Sequence, residues 1–274
     1  MLRNFTISAL MIATLASASV VSRQDSSLIN SLSSSCQTTL KGLLTAPEAE
    51  CLNLGSFLSS AVASNKTVPD IADSWLTGLC ALGSCSDANI ASVVTTVAQG
   101  CSTDLNNAGI TSLISTDQMV SFAQQFYPSA RQVACLKDDS ANKLCVPSTL
   151  SSVESIIGPL SVSMLNVDSL TQNGEKLLSN LKSFACTGCV KQAYNIISKV
   201  FPSQSILGVG NSELTDSCGA SFIDGSASSG ISQTAQAGSF VATKPSSAVG
   251  LNARNVAGGA LAMAATSFVF AILV

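Results

Sequence analysis

The chain has 274 residues, 46% of them apolar, which is enough to bury one large core or two smaller ones. Its 13 basic and 16 acidic side chains give a net charge of −3 without a basic cluster, so we expect no nucleic-acid partner. Histidine is absent, which excludes Ser-His-Asp and Cys-His catalysis and every histidine-containing metal site. No glycine-rich nucleotide-binding motif occurs either, and we expect no bound cofactor.

The first 18 residues have the pattern of a secretory signal peptide. A short segment ending at Arg3 carries positive charge, residues 5–16 are apolar, and Ala16-Ser17-Ala18 has the small-x-small pattern of a cleavage site. The sequence therefore predicts cleavage after Ala18. A buried N-terminal helix is the alternative, but ten cysteines downstream favour an oxidising compartment.

From residue 25 onward, apolar side chains recur at helical spacing and strand-like alternation is scarce. In the first half, Asp70 and Ser86 are predicted to cap helices that carry apolar stripes over 71–82 and 90–97. In the second half, Thr116 is predicted to cap a helix that Pro128 interrupts, and further stripes cover 150–157, 177–184 and 189–200. The predicted class is mainly α.

The cysteines form two groups of five with similar spacing, in which medium, long, very short and medium separations follow one another. They are Cys36, Cys51, Cys80, Cys85 and Cys101, and then Cys135, Cys145, Cys186, Cys189 and Cys218. This pattern predicts two homologous helical modules in tandem, at 21–110 and 115–222. Because five is odd, full oxidation requires at least one disulfide between the modules, which would join them in one rigid body. Spacing alone leaves the pairing open.

The C-terminal part is predicted to be a tether and an anchor signal. Residues 223–246 are rich in Ser, Ala and Gly, which favours a flexible, disordered stalk. Residues 247–274 end in an uncharged apolar stretch that follows a polar spacer, as in the propeptide of a glycosylphosphatidylinositol (GPI) anchor. Ser246 is the preferred attachment site, with Gly250 and Asn252 as alternatives. A retained transmembrane helix is the competing interpretation.

Few sequence features suggest a functional site. Cys186-Thr187-Gly188-Cys189 could exchange disulfides, but it lies between helical stripes, and we favour two structural half-cystines. Secreted thiols tend to oxidise, so metal binding by the cysteines is also disfavoured. Asn65-Lys66-Thr67 is an N-glycosylation sequon in a polar loop, and we expect Asn65 to be glycosylated.

Three pairs of neighbouring carboxylates could serve glycoside hydrolysis, which needs two carboxyl groups roughly 5–10 Å apart. These pairs are Glu48 with Glu50, Asp70 with Asp73, and Asp138 with Asp139. Carboxylates at such positions are more often helix caps or solvated surface groups, and that is the interpretation we favour.

The signal peptide, the paired cysteine groups, the stalk and the apolar terminus together resemble fungal GPI-anchored cysteine-rich surface proteins, a family with a domain of unknown function. The resemblance rests on Cys51-Leu52, Leu79-Cys80 and Cys85-Ser86 with their partial echoes in the second half. It implies attachment to membrane lipid through a GPI anchor and a place at the cell surface or in the cell wall. The cysteine number and spacing differ from the eight-cysteine haem-binding surface domains of fungi, so no haem-ligating Asp is assigned.

Three functions fit the sequence. The leading hypothesis is a non-enzymatic surface or cell-wall protein, which could contact wall glycan. A binder of a small apolar ligand such as a lipid or sterol is the first alternative, because disulfide-linked helices can enclose a cavity. A carboxylate-dependent glycan hydrolase is the second alternative.

Overall fold

The computed structural model describes residues 32–61, 66–160, 173, 176–177, 179–200 and 211–241. The predicted signal peptide, Asn65, the attachment candidates Ser246, Gly250 and Asn252, and the propeptide 247–274 lie outside the described residues. Within the described ranges, no helix has the combination of length and apolar content needed to cross a membrane.

Short and medium helices make up most of the described chain, and the mainly α prediction is confirmed. In the first half, the helices are α1 (Ser34–Leu43), α2 (Leu54–Ala61), α3 (Val68–Ala81), α4 (Asp87–Gly100), α5 (Ser102–Asn107) and α6 (Ile110–Leu113). In the second half, they are α7 (Thr116–Ala134), α8 (Cys145–Ile157), α9 (Leu181–Ala185), α10 (Gly188–Val200) and α11 (Asn211–Cys218). Short 3-10 helices cover Pro47–Leu52 and Ala220–Phe222.

Side-chain caps fix where α3 and α4 begin. Thr67 is the N-cap of α3, and Asp70, which was predicted to be the cap, is the third helical residue that completes a capping box. The helix begins earlier than predicted because Pro69 is tolerated in its first turn. Backbone N–H groups at that position have no intrahelical acceptor, so the lack of one in proline costs no helical hydrogen bond. Ser86 caps α4 as predicted and forms a capping box with Asn89.

The long helix α7 runs through Pro128 without interruption, so the prediction of a break at this proline was wrong. Ser115 rather than Thr116 is the N-cap, because Gln118 completes a capping box with the Ser115 hydroxyl. Proline removes one helical hydrogen bond, but Ala130 and Val133 beyond it are buried in the core. That packing holds the second half of α7 in line with the first.

A small antiparallel sheet was not foreseen from the sequence. Its three strands, in the order β2–β1–β3, are β1 (Leu136–Asp138), β2 (Lys143–Leu144) and β3 (Ile231–Gln233). Lys137 of β1 pairs with Leu144 on one side and with Ser232 on the other. Strands of two or three residues are too short to show an alternating apolar pattern.

Residues 223–241, called the C-terminal strap below, lie on the folded body and include β3. The backbone N–H groups of Thr234 and Gln236 donate to the carbonyls of Cys135 (2.9 Å) and Cys80 (2.8 Å). Farther along, the Phe240 N–H donates to the Ser84 carbonyl at 2.7 Å. The prediction of a disordered stalk was therefore wrong for residues 223–241. Backbone hydrogen bonds bind the strap to the folded body, and these bonds do not depend on the type of side chain.

Two basic side chains also hold the strap. Arg131 is buried, and its Nη2 donates to the carbonyls of Leu82 and of Gln236 in the strap. Lys191 forms an ion pair with Asp224 at 3.1 Å. The Ser226 hydroxyl, which donates to Asp224, together with the Ser226 N–H and Lys191, lowers the pKa of Asp224 to about 2.

The two halves of the chain share part of their hydrophobic core. One cluster packs Phe57, Trp75 and Leu79 of the first half against Ala134 and Leu144 of the second. A second cluster joins buried residues of α3 to buried residues from α8 onward, namely Val68, Ala72, Leu150 and Leu160. Other clusters lie within one half, around Leu40 in the first and around Val133 in the second, but the two shared clusters support the prediction of one rigid body.

Candidate functional site

All ten predicted half-cystines are paired in five disulfides with Cα–Cα distances of 4.2–5.5 Å, and none is free. The bridges are Cys36–Cys101, Cys51–Cys85, Cys80–Cys135, Cys145–Cys189 and Cys186–Cys218. Cys80–Cys135 joins the two halves, so the predicted cross-link is confirmed. The other four bridges lie within one half or the other.

The pairing repeats only in part between the two cysteine groups. In each group the second cysteine pairs with the fourth, as Cys51–Cys85 and Cys145–Cys189. The first group also pairs its first and fifth cysteines, whereas the second group pairs its third and fifth. A single matched bridge is weak support for duplication, and the homology of the two modules stays a prediction.

The Cys186-Thr187-Gly188-Cys189 motif contains no internal disulfide. Cys186 pairs with Cys218, and Cys189 pairs with Cys145. A redox-active motif of this kind cycles between a dithiol and a bridge that joins its own two cysteines. The observed pairing instead ties α9 and α10 to different elements, in agreement with the structural interpretation.

Two of the three candidate carboxylate pairs have structural partners or helix-terminal positions. Asp138 accepts hydrogen bonds from the Ser140 N–H (2.9 Å) and hydroxyl (2.6 Å) in the turn between β1 and β2. The Ser140 hydroxyl bond is the main cause that lowers the pKa of Asp138. Asp139 accepts from the Ser232 hydroxyl at 2.6 Å and so contacts the strap. Glu48 and Glu50 lie in the first turn of a 3-10 helix, where a negative charge is favourable.

The third pair, Asp70 and Asp73, lines a surface cleft of about 490 Å³. This cleft lies between α3, the β1–β2 hairpin and α8, where the inter-half disulfide brings the two halves together. It falls within the size range of ligand-binding clefts, roughly 300–1,000 Å³. Its polar and charged lining comprises Asp70, Asp73, Thr77, Lys137, Asn142, Lys143, Ser148, Ser151 and Thr234, and its apolar lining includes Pro69, Leu144 and Pro147.

Both charge signs face this cleft without forming an ion pair. Lys137 and Lys143 come from the hairpin, and the two carboxylates come from α3. Among the described residues, the one ion pair within 4.0 Å is Lys191–Asp224, which lies elsewhere. Asp70 is partly engaged, because its Oδ2 accepts from the N–H (3.1 Å) and the hydroxyl (2.9 Å) of Thr67.

This arrangement is better suited to binding than to hydrolysis. Hydrolysis of a glycosidic bond needs two carboxyl groups on either side of that bond. Asp70 and Asp73 are neighbours on one face of α3, one turn apart, and one oxygen of Asp70 is held by Thr67. The charged rim also disfavours a wholly apolar ligand, because burying charges under lipid without partners is costly.

The sequence pattern pointed to Asp70 and Asp73 but not to the lysines and polar groups opposite them. Lys137 and Lys143 belong to strands that this pattern did not reveal. Asn142 has a left-handed backbone with φ of 52°, and together with Asp139 and Ser140 it was the available sequence signal for a turn here. The hairpin meets α3 where the Cys80–Cys135 bridge and the core cluster that includes Leu144 join the two halves, and cysteine spacing does not select these contacts.

Within the part of the chain that the structure describes, no group of three or more Cys, Asp or Glu side chains could hold a metal ion. No protein-family model, curated protein or solved structure matches the chain. Its function must therefore be inferred from its own residues.

Proposed function

We propose that the protein is a non-enzymatic, GPI-anchored protein of the cell surface or cell wall. The observation that carries the proposal is the complete pairing of ten cysteines into five bridges. A chain with this many disulfides indicates an extracellular or secreted protein, because the cytosol keeps thiols reduced. The signal-peptide pattern of residues 1–18 and the anchor pattern of residues 247–274 support the finer assignment.

The length of chain between the described strap and Ser246 limits how far the folded body can lie from the anchor. The described strap ends at Val241, five residues before Ser246. Five residues reach at most about 18 Å when fully extended. An anchor at Ser246 therefore leaves only these five residues of polypeptide between the described strap and the anchor, rather than the longer stalk that the sequence suggested.

The experiment is phospholipase release from intact cells. Phosphatidylinositol-specific phospholipase C should move the protein into the soluble fraction, and a variant truncated after residue 255 should be secreted without an anchor. A triple substitution of Ser246, Gly250 and Asn252 by leucine tests the attachment site, with Ser229→Leu at an exposed position of the strap as the control. Retention on the membrane after phospholipase treatment would contradict the anchor, and reduced cytosolic protein that retains Met1 would contradict the extracellular location.

A carboxylate-dependent glycan hydrolase is the second candidate, because Asp70 and Asp73 line the same cleft. Incubation with a panel of wall polysaccharides tests it through the release of reducing sugar. Hydrolysis that Asp73→Asn abolishes and Asp216→Asn preserves would favour the hydrolase over the non-enzymatic role. Asp216 is an exposed residue of α11 that does not line the cleft.

A further inference from the structure

The cleft between α3, the β1–β2 hairpin and α8 carries opposite charges on different walls. We propose that it binds a small zwitterion, with a primary ammonium group against Asp70 and Asp73 and an anionic group against Lys137 and Lys143. The proposal goes beyond the surface location and does not depend on the anchor. It follows from the free carboxylates, the free lysines and the remaining lining of the cleft.

The α3 wall provides hydrogen-bond acceptors for a cation. Asp70 and Asp73 are three residues apart, which places them on the same helix face with Cβ atoms about 5–6 Å apart. Thr67 engages Oδ2 of Asp70, whereas Oδ1 makes no described hydrogen bond. Asp73 is exposed, and neither of its oxygens makes a described hydrogen bond or ion pair. Three carboxylate oxygens thus remain for an ammonium group, which has three N–H donors.

The hairpin wall provides cations for an anion. The Lys137 and Lys143 ammonium groups lie more than 4.0 Å from every described carboxylate oxygen. Asp138 is directly opposite Lys143 in the strand register, but its Oδ1 accepts hydrogen bonds from Ser140 and Ala141 in the turn. Neither ammonium group is therefore held by a described carboxylate. Strand alternation places the two lysines on opposite faces of the hairpin, and Lys137 shares its face with the cleft residue Leu144. Lys137 is thus the main partner for an anionic group in the cleft, and such charge-assisted hydrogen bonds are stronger than neutral ones.

The rest of the lining narrows the class of ligand. Among the residues that the structure describes, no aromatic side chain lines the cleft, which disfavours a quaternary ammonium, because those cations are usually recognised by aromatic rings. Thr77, Ser148 and Ser151 offer hydroxyl groups that can bond the polar atoms between the two charges. A single ion of either sign would leave one wall unpaired, whereas a zwitterion neutralises both.

Calorimetric titration of the oxidised, full-length protein in a non-ionic detergent tests the proposal. Two probes carry a primary ammonium group: triglycine, whose anion is a carboxylate, and O-phosphoethanolamine, whose anion is a phosphate. N-acetyltriglycine amide is the uncharged control. We expect saturable binding of at least one zwitterionic probe, no binding of the control, and weaker binding as salt rises. The probe that binds more tightly identifies the anion that the lysines prefer.

Matched variants locate the binding. Asp73→Asn and Lys137→Gln should each weaken binding of the probe about ten-fold, because each removes a charged partner. Asp216→Asn and Lys199→Gln, which change exposed residues of α11 and α10 outside the cleft, should leave the affinity unchanged. The proposal is overturned if neither zwitterion binds at millimolar concentration, if the blocked peptide binds equally well, or if either cleft substitution leaves the affinity unchanged.

Discussion

The Cys80–Cys135 bridge is the single described disulfide that joins the two halves of the protein, and its removal tests how the halves are held together. Both half-cystines are buried, with 4% and 0% of their surface exposed. Replacement of both by alanine removes the bridge but keeps the core in which Phe57, Trp75 and Leu79 pack against Ala134 and Leu144. We expect a less stable protein that still unfolds as one unit.

The magnitude follows from the loop that the bridge closes. Its sequence separation of 55 residues gives about 4 kcal/mol in the chain-entropy description of disulfides. The Cys186–Cys218 bridge, within the second half, has a separation of 32 and gives about 3.7 kcal/mol. The double variants Cys80→Ala/Cys135→Ala and Cys186→Ala/Cys218→Ala should therefore lose similar amounts of stability, because loop length rather than location sets the loss.

Urea unfolding without reductant, followed by tryptophan fluorescence and far-ultraviolet circular dichroism, measures both quantities. Trp75 is the single tryptophan of the chain and lies in the shared core, so its fluorescence reports on contact between the halves. The two signals should change together in one transition for both double variants. Two separate transitions in the Cys80→Ala/Cys135→Ala variant, or a loss below about 1 kcal/mol, would refute the reasoning.

Three further predictions concern the C-terminal strap. Arg131→Met should destabilise the protein by about 2–4 kcal/mol in urea unfolding, because two backbone carbonyls lose a charged hydrogen-bond donor. A loss of stability below about 0.5 kcal/mol would argue against this contact. Gly83→Ala should cost about 1–3 kcal/mol by the same measurement, since a Cβ there would lie 2.6 Å from a strap nitrogen. Gly42→Ala, in a helix with no neighbour within 4 Å, is the control, and it should be neutral or stabilising by up to about 1 kcal/mol. The lowered pKa of Asp224, about 2, implies that its hydrogen bonds with Ser226 and its contact with Lys191 stabilise the strap above the unfolded pKa of about 3.9. This stabilisation is lost as the pH falls toward 2. The protection of the strap amides, measured as exchange relative to the intrinsic rate at the same pH, should therefore decrease over that pH range in the natural protein, and an equal decrease in Asp224→Asn would exclude this cause.

The helices and the cross-link were predictable because each depends on local pattern or simple counting. Ser86 caps α4 as its sequence context predicts, and two groups of five cysteines required a bridge between them. The predicted break at Pro128 was wrong because the packing of the residues that follow this proline outweighs the cost of a proline in a helix interior. Helix propensity depends on local sequence and does not include that contribution from tertiary packing.

The strap and the cleft were not predictable for a different reason. The strap is bound through backbone hydrogen bonds to Cys80, Cys135 and Ser84, and backbone groups are the same in every sequence. Its small side chains therefore resembled those of a disordered linker. Asp73 and Lys137 line the same cleft because the shared core and the Cys80–Cys135 bridge bring the two halves together, and sequence spacing selects neither contact.

Peptide mapping of the protein purified from its native source, without reductant and after the thiols are blocked, tests the disulfide-linked extracellular body most directly. The account predicts no blocked thiol and five cystine-linked peptides, among them one that joins Cys80 to Cys135. It also predicts that no peptide contains a bridge between Cys186 and Cys189. Free cysteines in the native protein, or bridges confined to each half with none between the halves, would contradict it.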